Sequence, residues 1–599
     1  EWQKKDSWKL RAAHTLTWKQ TFNKIHDVNV MLGQEYVASN SETNNMIGKY
    51  FQKDIQPDKM FASMANNSKG TGAQTISSTL GQEDNYSLLD RYLLTVTMRA
   101  DGSSKFARGN RWGYFPAAAV AWRVLEEPFM ENAKDLMSNL KLRFSYGTAG
   151  NNRIGSAMFE TTYKAYSSGK YYGAGNEQNP HYTLNNSQLA NPNLKWETTI
   201  TRNVGLDFGF FNERISGSID YYWNTVKDLL IEIPITAIGY TSMQQNIGQT
   251  SNRGVELSLN AAILQKKDYS LNFNFNIGFN KNKVDKLSEG VTSMAFNSGA
   301  FSTDMRGQDD YRVIVGQPLG LVWGFVYDGI YGVDDFETYV DANGNTQFQF
   351  DKSGNYILKE GQVDNSYTTS GSYGGLRPGA MKIKDLDGDG SISADKDRTI
   401  IGKTQPKFTG GFGLNATYKW FDIAANFNFV VGNDVYNMDK MVSSQSYRNT
   451  YASLRADMVP VTLGGKAWTY LDHATGEIIT DYATLKMMNA NATYWSGATM
   501  SDNNPVPTSW AIEDGSFLRL QNLTVGFTMP KNWTKKFACS QLRLYCTLNN
   551  VFCLSGYDGY DPEVNSAIRN SKTSGLTPGA DYSAYPKSFS WTAGVNITF

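Results

Sequence analysis

The chain has 599 residues, with 57 Lys plus Arg against 57 Asp plus Glu, so no basic field marks it for nucleic acid. No run nears the eighteen or so apolar residues of a membrane helix, and the mean hydropathy is −0.45. Yet 34 Tyr, 31 Phe, 14 Trp and 54 Gly are abundant, which fits a β-barrel whose apolar face is hidden by averaging over alternate residues.

In chain order, residues 8–18 predict a descending strand, 19–27 a turn and 28–37 a rising strand. Tyr92, Leu94, Val96 and Met98 then alternate with Leu93, Thr95, Thr97 and Arg99. A period of two gives a strand with two unlike faces. The same pattern marks 112–124, 139–148, 199–210, 215–224 and 255–263. It is cleanest in Tyr269–Asn280, where Tyr269, Leu271, Phe273, Phe275, Ile277 and Phe279 face one way. Ser270, Asn272, Asn274, Asn276, Gly278 and Asn280 face the other. Later strands are expected at 412–420, 421–431, 517–529, 542–548 and 589–599. Leu518 and Leu520 are out of phase with Leu523, Val525 and Phe527, which predicts a bulge or bend.

Tight connections (212–214, 265–268, 420–421) alternate with long ones (149–197, 225–253, 281–410, 432–515, 550–587), as short turns and long outer loops do in a bacterial outer-membrane barrel. Strand direction must alternate, so 28–37 and 87–100 cannot be neighbours. A descending strand is therefore expected near Ala73–Leu80, bringing the count to about fifteen, and an odd count implies missing N-terminal strands. A soluble sandwich or propeller would also alternate. Against it stand very long loops on one side only and Trp18, Trp112, Trp122, Trp196, Trp223, Trp420 and Trp591 near strand ends, as in interfacial girdles.

Several segments resemble the SusC/RagA family of TonB-dependent outer-membrane transporters. They include RYLLTVTMRADGSSKFARGNRWGYFPAAAVAWRVLEE (91–127), NPNLKWETTITRNVGLDFGFF (191–211), RPGAMKIKDLDGDGSISADKDRTIIGKTQPKFTGGF (377–412) and YPKSFSWTAGVNITF (585–599). The resemblance implies an all-β, transmembrane antiparallel β-barrel of about 22 strands, of which 1–599 supplies about the last fifteen, with 281–410 as a large extracellular loop region. It also implies a missing plug domain and a missing TonB box that reaches TonB–ExbB–ExbD. A SusD-like lipoprotein lid, outer-membrane lipid around the wall and import of oligosaccharides or peptides complete the expectation. The terminal Phe599 looks like a barrel-assembly signal. A siderophore-type TonB receptor, or a passive porin without a lid, is the alternative.

Asp385, Asp387 and Asp389 precede Gly390 in the pattern D-x-D-G-D-G-S. Carboxylates two apart converge where glycine turns the chain, and Ca²⁺ takes such an oxygen cage. Ser391 would offer its carbonyl. Position twelve is Lys396, flanked by Asp395 and Asp397, so the loop departs from the EF-hand spacing by one residue and Asp397 becomes the expected ligand. The alternative is an Asp/Gly-rich turn without metal.

No enzymatic motif emerges: His14, His26, His181 and His473 are scattered, and Cys539, Cys546 and Cys553 form no C-x-x-C pair. Glu126 and Glu127 are expected to be solvated in a short turn. Tyr163, Tyr166, Tyr171, Tyr172 and Tyr182 in one loop, and Trp323, Tyr327 and Tyr331 in another, could stack on cargo, with loop packing as the competing role.

Overall fold

The computed structural model describes residues 2–47, 66–71, 75–165, 171–174, 177–180, 182–184, 188–237, 239–298, 309–369, 375–443, 465–472, 474–496, 506–535, 539–564, 575–582 and 584–599. The chain divides into two compact units, Glu1–Ala261 with Asn282–Gly290, and Ala262–Lys281 with Val291–Phe599.

In the first unit, successive antiparallel strands form a meander. They are β1 (Trp2–Phe22), β2 (His26–Ile47), β3 (Thr75–Leu88), β4 (Tyr92–Ser103), β5 (Trp112–Arg123), β6 (Met137–Asn151), β7 (Glu197–Phe210), β8 (Ile215–Lys227) and β9 (Gln249–Gln265). The second unit has its own antiparallel run, made of most of β10 (Tyr269–Lys286), β11 (Phe408–Tyr418), β12 (Phe421–Val431), β13 (Phe517–Thr528), β14 (Gln541–Ser555) and β15 (Ser590–Thr598). Among the described residues these fifteen strands match the count reached by parity, and a short sixteenth, Asn66–Thr71, pairs with the Glu42–Ile47 end of β2. The hidden strand is β3, and it runs eight residues past its expected end at Leu80, so β4 starts at Tyr92 and not at 87. Ala73 lies outside the described residues.

The phase slip in β13 is a bulge. Register jumps between Leu520 and Asn522, opposite β14. Asn550 and Val551 of β14 there oppose Gln521 alone, one residue in excess, and Asn550 has a left-handed φ of 51°.

Register aligns like faces across strands. In the first unit, Val28, Tyr86, Leu94, Val120, Phe144, Val204, Tyr221 and Val255 form one lateral row through β2–β9. In the second unit, Phe275, Phe412, Phe427, Leu520 and Phe552 do so through β10–β14. On this face Leu16, Val120, Phe144 and Trp591 are 69%, 52%, 51% and 67% exposed. Leu520, beside the break in register on β13, is buried, but elsewhere large apolar side chains are left open in register from strand to strand, as a wall facing hydrocarbon requires.

Connections at one end of the wall are tight: Asn23–Ile25, Leu89–Arg91, Phe211–Arg214, Lys266–Asp268 and Lys419–Trp420. Those at the other end are mostly long. Length alone misleads at one outer connection: 104–111 is shorter than the turn-end connections 124–136 and 529–540, and Phe106 tucks it against Ile154, Leu194 and Trp196.

That packing also corrects one girdle assignment. Trp112, Trp223 and Trp591 are exposed at the outer end, and Trp18 and Trp420 at the turn end. Trp196 instead stacks against Phe106 and Phe115, at centroid distances of 5.5 and 5.7 Å, and donates from Nε1 to the Arg111 carbonyl.

Candidate functional site: the polar face and the outer loops

The face opposite the apolar rows differs between the two units. In the first it is built from ions. Arg143 on β6 binds Asp207 on β7 at 2.7 Å and reaches past it to Asp220 on β8 at 3.0 Å, while Lys141 holds Asp207 at 2.9 Å. Gly205 lies between Arg143 and Asp220, and a Cβ there would sit 2.6 Å from the guanidinium carbon. The missing side chain is what lets charges two strands apart meet. Arg99–Asp101 and Arg11–Glu35 pairs line the same face at 2.9 and 2.8 Å.

In the second unit the central polar face is built from amides. Asn274, Gly413, Asn426, Asn522, Asn549 and Ser590 stand in one register row through β10–β15. Asn426 donates to Asn522 at 2.7 Å and Asn549 to Ser590 at 3.3 Å. A Cβ on Gly413 would meet the Asn274 and Asn426 amides at 2.6–2.7 Å, so glycine again opens room for its neighbours. One ion pair, Arg543–Asp422, closes the turn end of this face at 2.5 Å.

The outer connections of the second unit fold together. Ser293–Phe296, Tyr311–Ile314, Leu321–Phe325 and Arg398–Lys403 make a four-stranded sheet. Asp434–Asn437 pairs with Ile512–Asp514 of its own connection and with Ala580–Asp581 of the last one, while the first sheet belongs to a third. Tyr311, Val322, Tyr436, Met438, Met441, Ala511 and Ala580 form one buried core across them. Tyr311 donates its hydroxyl to the Pro578 carbonyl at 2.7 Å. A second core gathers Tyr331, Phe336, Phe348, Trp468 and Leu485. Gly379, at φ 85°, lies under the Trp468 indole, where any Cβ would come within 2.2 Å of the ring.

Charge is anchored inside this body. Asp310 is fully buried and accepts from the Ser298 amide at 2.7 Å and hydroxyl at 2.5 Å. Burial pushes its carboxyl up to about 6. Arg519 on β13 binds Asp561 of the last outer connection at 2.6 Å, with both side chains 5% exposed.

The Asp-rich turn has a definite geometry. Oxygens of Asp385, Asp387 and Asp397 lie within 4.8 Å of one another. Asp385 accepts from the Gly388 and Gly390 amides at 2.7 and 2.8 Å, which hold its carboxyl below the usual range, the Gly390 bond most strongly. Buried Asp397 accepts from the Leu386 and Ser393 amides at 2.9 and 2.7 Å. Asp389 turns elsewhere: Lys396 Nζ reaches it at 2.6 Å and Asp387 at 3.0 Å, and Ser391 donates to it from both amide and hydroxyl. The ammonium lowers the Asp389 carboxyl to about 2, and the same carboxylates raise Lys396. The chain therefore brings together positions one, three and thirteen, and places its own cation beside them.

Two further expectations change. Glu127 is buried. It accepts from the Tyr92 hydroxyl at 2.5 Å and the Trp122 indole at 3.0 Å, with Arg91 at 3.5 Å. The Tyr92 bond, then the Trp122 bond, holds it below the usual carboxylate range. Only the recurrence of aromatics at the ends of β4 and β5 could have signalled this. Among the aromatic candidates, Tyr331 is a core residue and Tyr327 packs on Trp495 at 5.9 Å. Trp323 is covered by the Arg312 guanidinium at 4.5 Å, while Tyr163 is exposed. Tyr166 and the side chains of Tyr171, Tyr172 and Tyr182 lie outside the described residues.

An antiparallel wall with one apolar face, one polar face and loops packed at one end defines a transmembrane β-barrel wall. The family model described as "TonB dependent receptor-like, beta-barrel" matches residues 2–373, and the chain belongs to that family. It is 30% identical over 598 residues to TonB-dependent receptor P39 of Formosa agariphila, covering 97% of this chain and 52% of that protein. It is 30% identical over 531 residues to TonB-dependent receptor SusC of Bacteroides thetaiotaomicron, covering 86% and 43%. The solved RagAB peptide transporter matches with a TM-score of 0.72 at 22% identity, over 100% of this chain and 56% of that one. The chain thus spans about half the length of the curated relatives it matches.

Proposed function

We propose that this chain forms the wall and outer loops of an outer-membrane importer of oligosaccharides or peptides in a Gram-negative bacterium. A SusD-like lipoprotein covers it, and TonB–ExbB–ExbD drives it through an N-terminal region. The observation that carries this is the pairing of a registered apolar face with three outer connections packed on shared cores. A passive porin has no use for a rigid outer platform of that size, whereas a lidded importer needs a surface to close against. The likeness to SusC and to a peptide transporter supports the cargo classes. The reading assigns no catalytic group.

The test is uptake by the host. Deleting the gene should abolish growth on a large glycan or on peptides as the sole source, with monomer growth intact. Collapse of the proton-motive force should stop uptake, and a SusD-like lipoprotein should co-purify. Cargo entry that survives the collapse would contradict the reading.

We also propose that the Asp385–Asp397 turn takes Ca²⁺ through Asp385, Asp387 and Asp397, stiffening an outer loop, with Lys396 as its competitor. Asp389 and Ser391 then brace the turn. Chelation should speed proteolysis within 377–402, and Lys396→Gln should tighten Ca²⁺ binding. Cleavage that ignores EDTA in both proteins would refute it.

A further inference from the structure

The apolar face of the first unit is not apolar to its outer end. On β6–β9 its residues can be read in rows running outward. Leu142, Leu206, Ile219 and Leu257 form one row, and Phe144, Val204, Tyr221 and Val255 the next. Then the chemistry changes. The third row carries Tyr146, Arg202, Trp223 and Arg253. The fourth carries Thr148, Ile200, Thr225 and Ser251, and above it stand Thr198, Lys227 and Gln249. Successive rows are about 7 Å apart, two residues of strand.

Arg202 lies between two rings, 5.8 Å from the centroid of Tyr146 and 5.6 Å from that of Trp223. It donates once, from Nη1 to Thr225 Oγ1 at 3.3 Å, so most of its fork remains open. Arg253 and Lys227 are exposed. Among the described residues none of the three cations has a carboxylate partner. The neighbouring acids are already engaged. Asp228 is held by Lys195 at 3.0 Å, and Glu197 accepts from Asn151 at 2.9 Å and from the Leu230 amide. Asp285, at the border, accepts from Ser251 and Gln249 and faces Lys283 at 3.8 Å.

We infer that this surface binds the phosphate of a lipid headgroup in the outer leaflet. The inference rests on the membrane-wall reading. Uncompensated cations on a lipid-facing wall are costly unless an anion meets them at the interface. Aromatic rings fix the depth, because they seat at the boundary of hydrocarbon and headgroups. Arginine is suited to the role: its planar fork takes two phosphate oxygens while its faces stack on Tyr146 and Trp223. The Thr225 hydroxyl, which accepts from Arg202, still has its proton to donate to the headgroup, whereas the Thr148 and Ser251 hydroxyls donate to the Pro116 carbonyl and to Asp285. Snorkelling alone would explain one long side chain. It does not explain two arginines within an aromatic row and a lysine above it, on three adjacent strands.

The test uses the full-length receptor in phosphatidylcholine nanodiscs doped with lipid A or with its dephosphorylated form, lipids being counted by native mass spectrometry. The wild type should retain the phosphorylated lipid about tenfold or more over the dephosphorylated one. Arg202→Gln, Arg253→Gln and Lys227→Gln together should erase that preference, while Arg214→Gln at the turn end should leave it intact. Equal retention by the wild type and the triple variant would overturn the site. Competition by inorganic phosphate at the same concentration as the lipid would overturn the lipid assignment. Failure of the wild type to enter nanodiscs would instead refute the membrane wall itself. Heat-modifiable migration of each variant shows that it is folded.

Discussion

Two isoleucines are open to the surface for opposite reasons. Ile219 on β8 is 42% exposed in a row of apolar neighbours that crosses strand after strand, and Ile478 in an outer connection is 74% exposed with only Leu471 bridged to it among the described residues. By exposure alone Ile478 is the more misplaced. By register Ile219 belongs to a continuous sheet of such residues, and its solvent is lipid. An exposed side chain is open to its surroundings, whichever medium those are. The same contrast separates the two building plans. The wall keeps its large apolar side chains outside, and the outer body buries Tyr311, Val322 and Tyr436 completely.

The largest effect should come where the outer body obeys the rule for soluble proteins. Tyr436→Ala empties the centre of its core and should cost about 3–5 kcal/mol of local stability. Hydrogen exchange at the Asp434–Asn437 amides should accelerate accordingly, while that of β10–β12 stays slow. Next comes the wall. Ile219→Arg should cost about 2–4 kcal/mol of stability in bilayers. Equilibrium refolding into vesicles measures it, and a cost near zero would break the contrast.

The third effect is pH-linked. Asp310 is raised to about 6 from an ordinary value of 3.8. Below the unfolded value both states are protonated and no penalty exists. As pH rises from about 4 to about 6 the unfolded carboxyl ionises first, so the folded outer body loses up to about 2–3 kcal/mol, after which the curve is flat. Proteolytic protection of the outer body should fall over that window in the wild type and lose this slope in Asp310→Asn. The smallest effect should be Ile478→Arg, within about 0.5 kcal/mol. Together, Ile219→Arg and Ile478→Arg isolate the medium from the residue.

The wall was legible because its code is local. A period of two needs only neighbouring residues, so even the bulge between Leu520 and Leu523 shows as a change of phase. β3 is the exception that parity rescued: Ser77, Ser78, Thr79, Gln82 and Asp84 dilute its alternation, and the need for a descending strand located it. The outer body was illegible because its contacts are remote. Tyr311 and Pro578 are 267 positions apart, and no window of sequence joins them. Glu127 failed for the same reason, since its partner Tyr92 comes from another strand. In the Asp-rich turn, spacing found Asp385, Asp387 and Asp397. It could not show that Lys396 folds back onto Asp387 and Asp389, because long side chains choose their contacts in three dimensions.

The central claim is that alternate residues of the wall face lipid. Nitroxide labels placed singly along Gly217–Trp223 in the reconstituted receptor test it most directly. Accessibility to oxygen, which concentrates in hydrocarbon, should peak at 219 and 221 and dip at 218, 220 and 222. A water-soluble nickel chelate should reach none of the first pair and should reach Tyr339, exposed in the outer body. Labels at 219 and 221 as open to the chelate as the label at 339 would contradict the account.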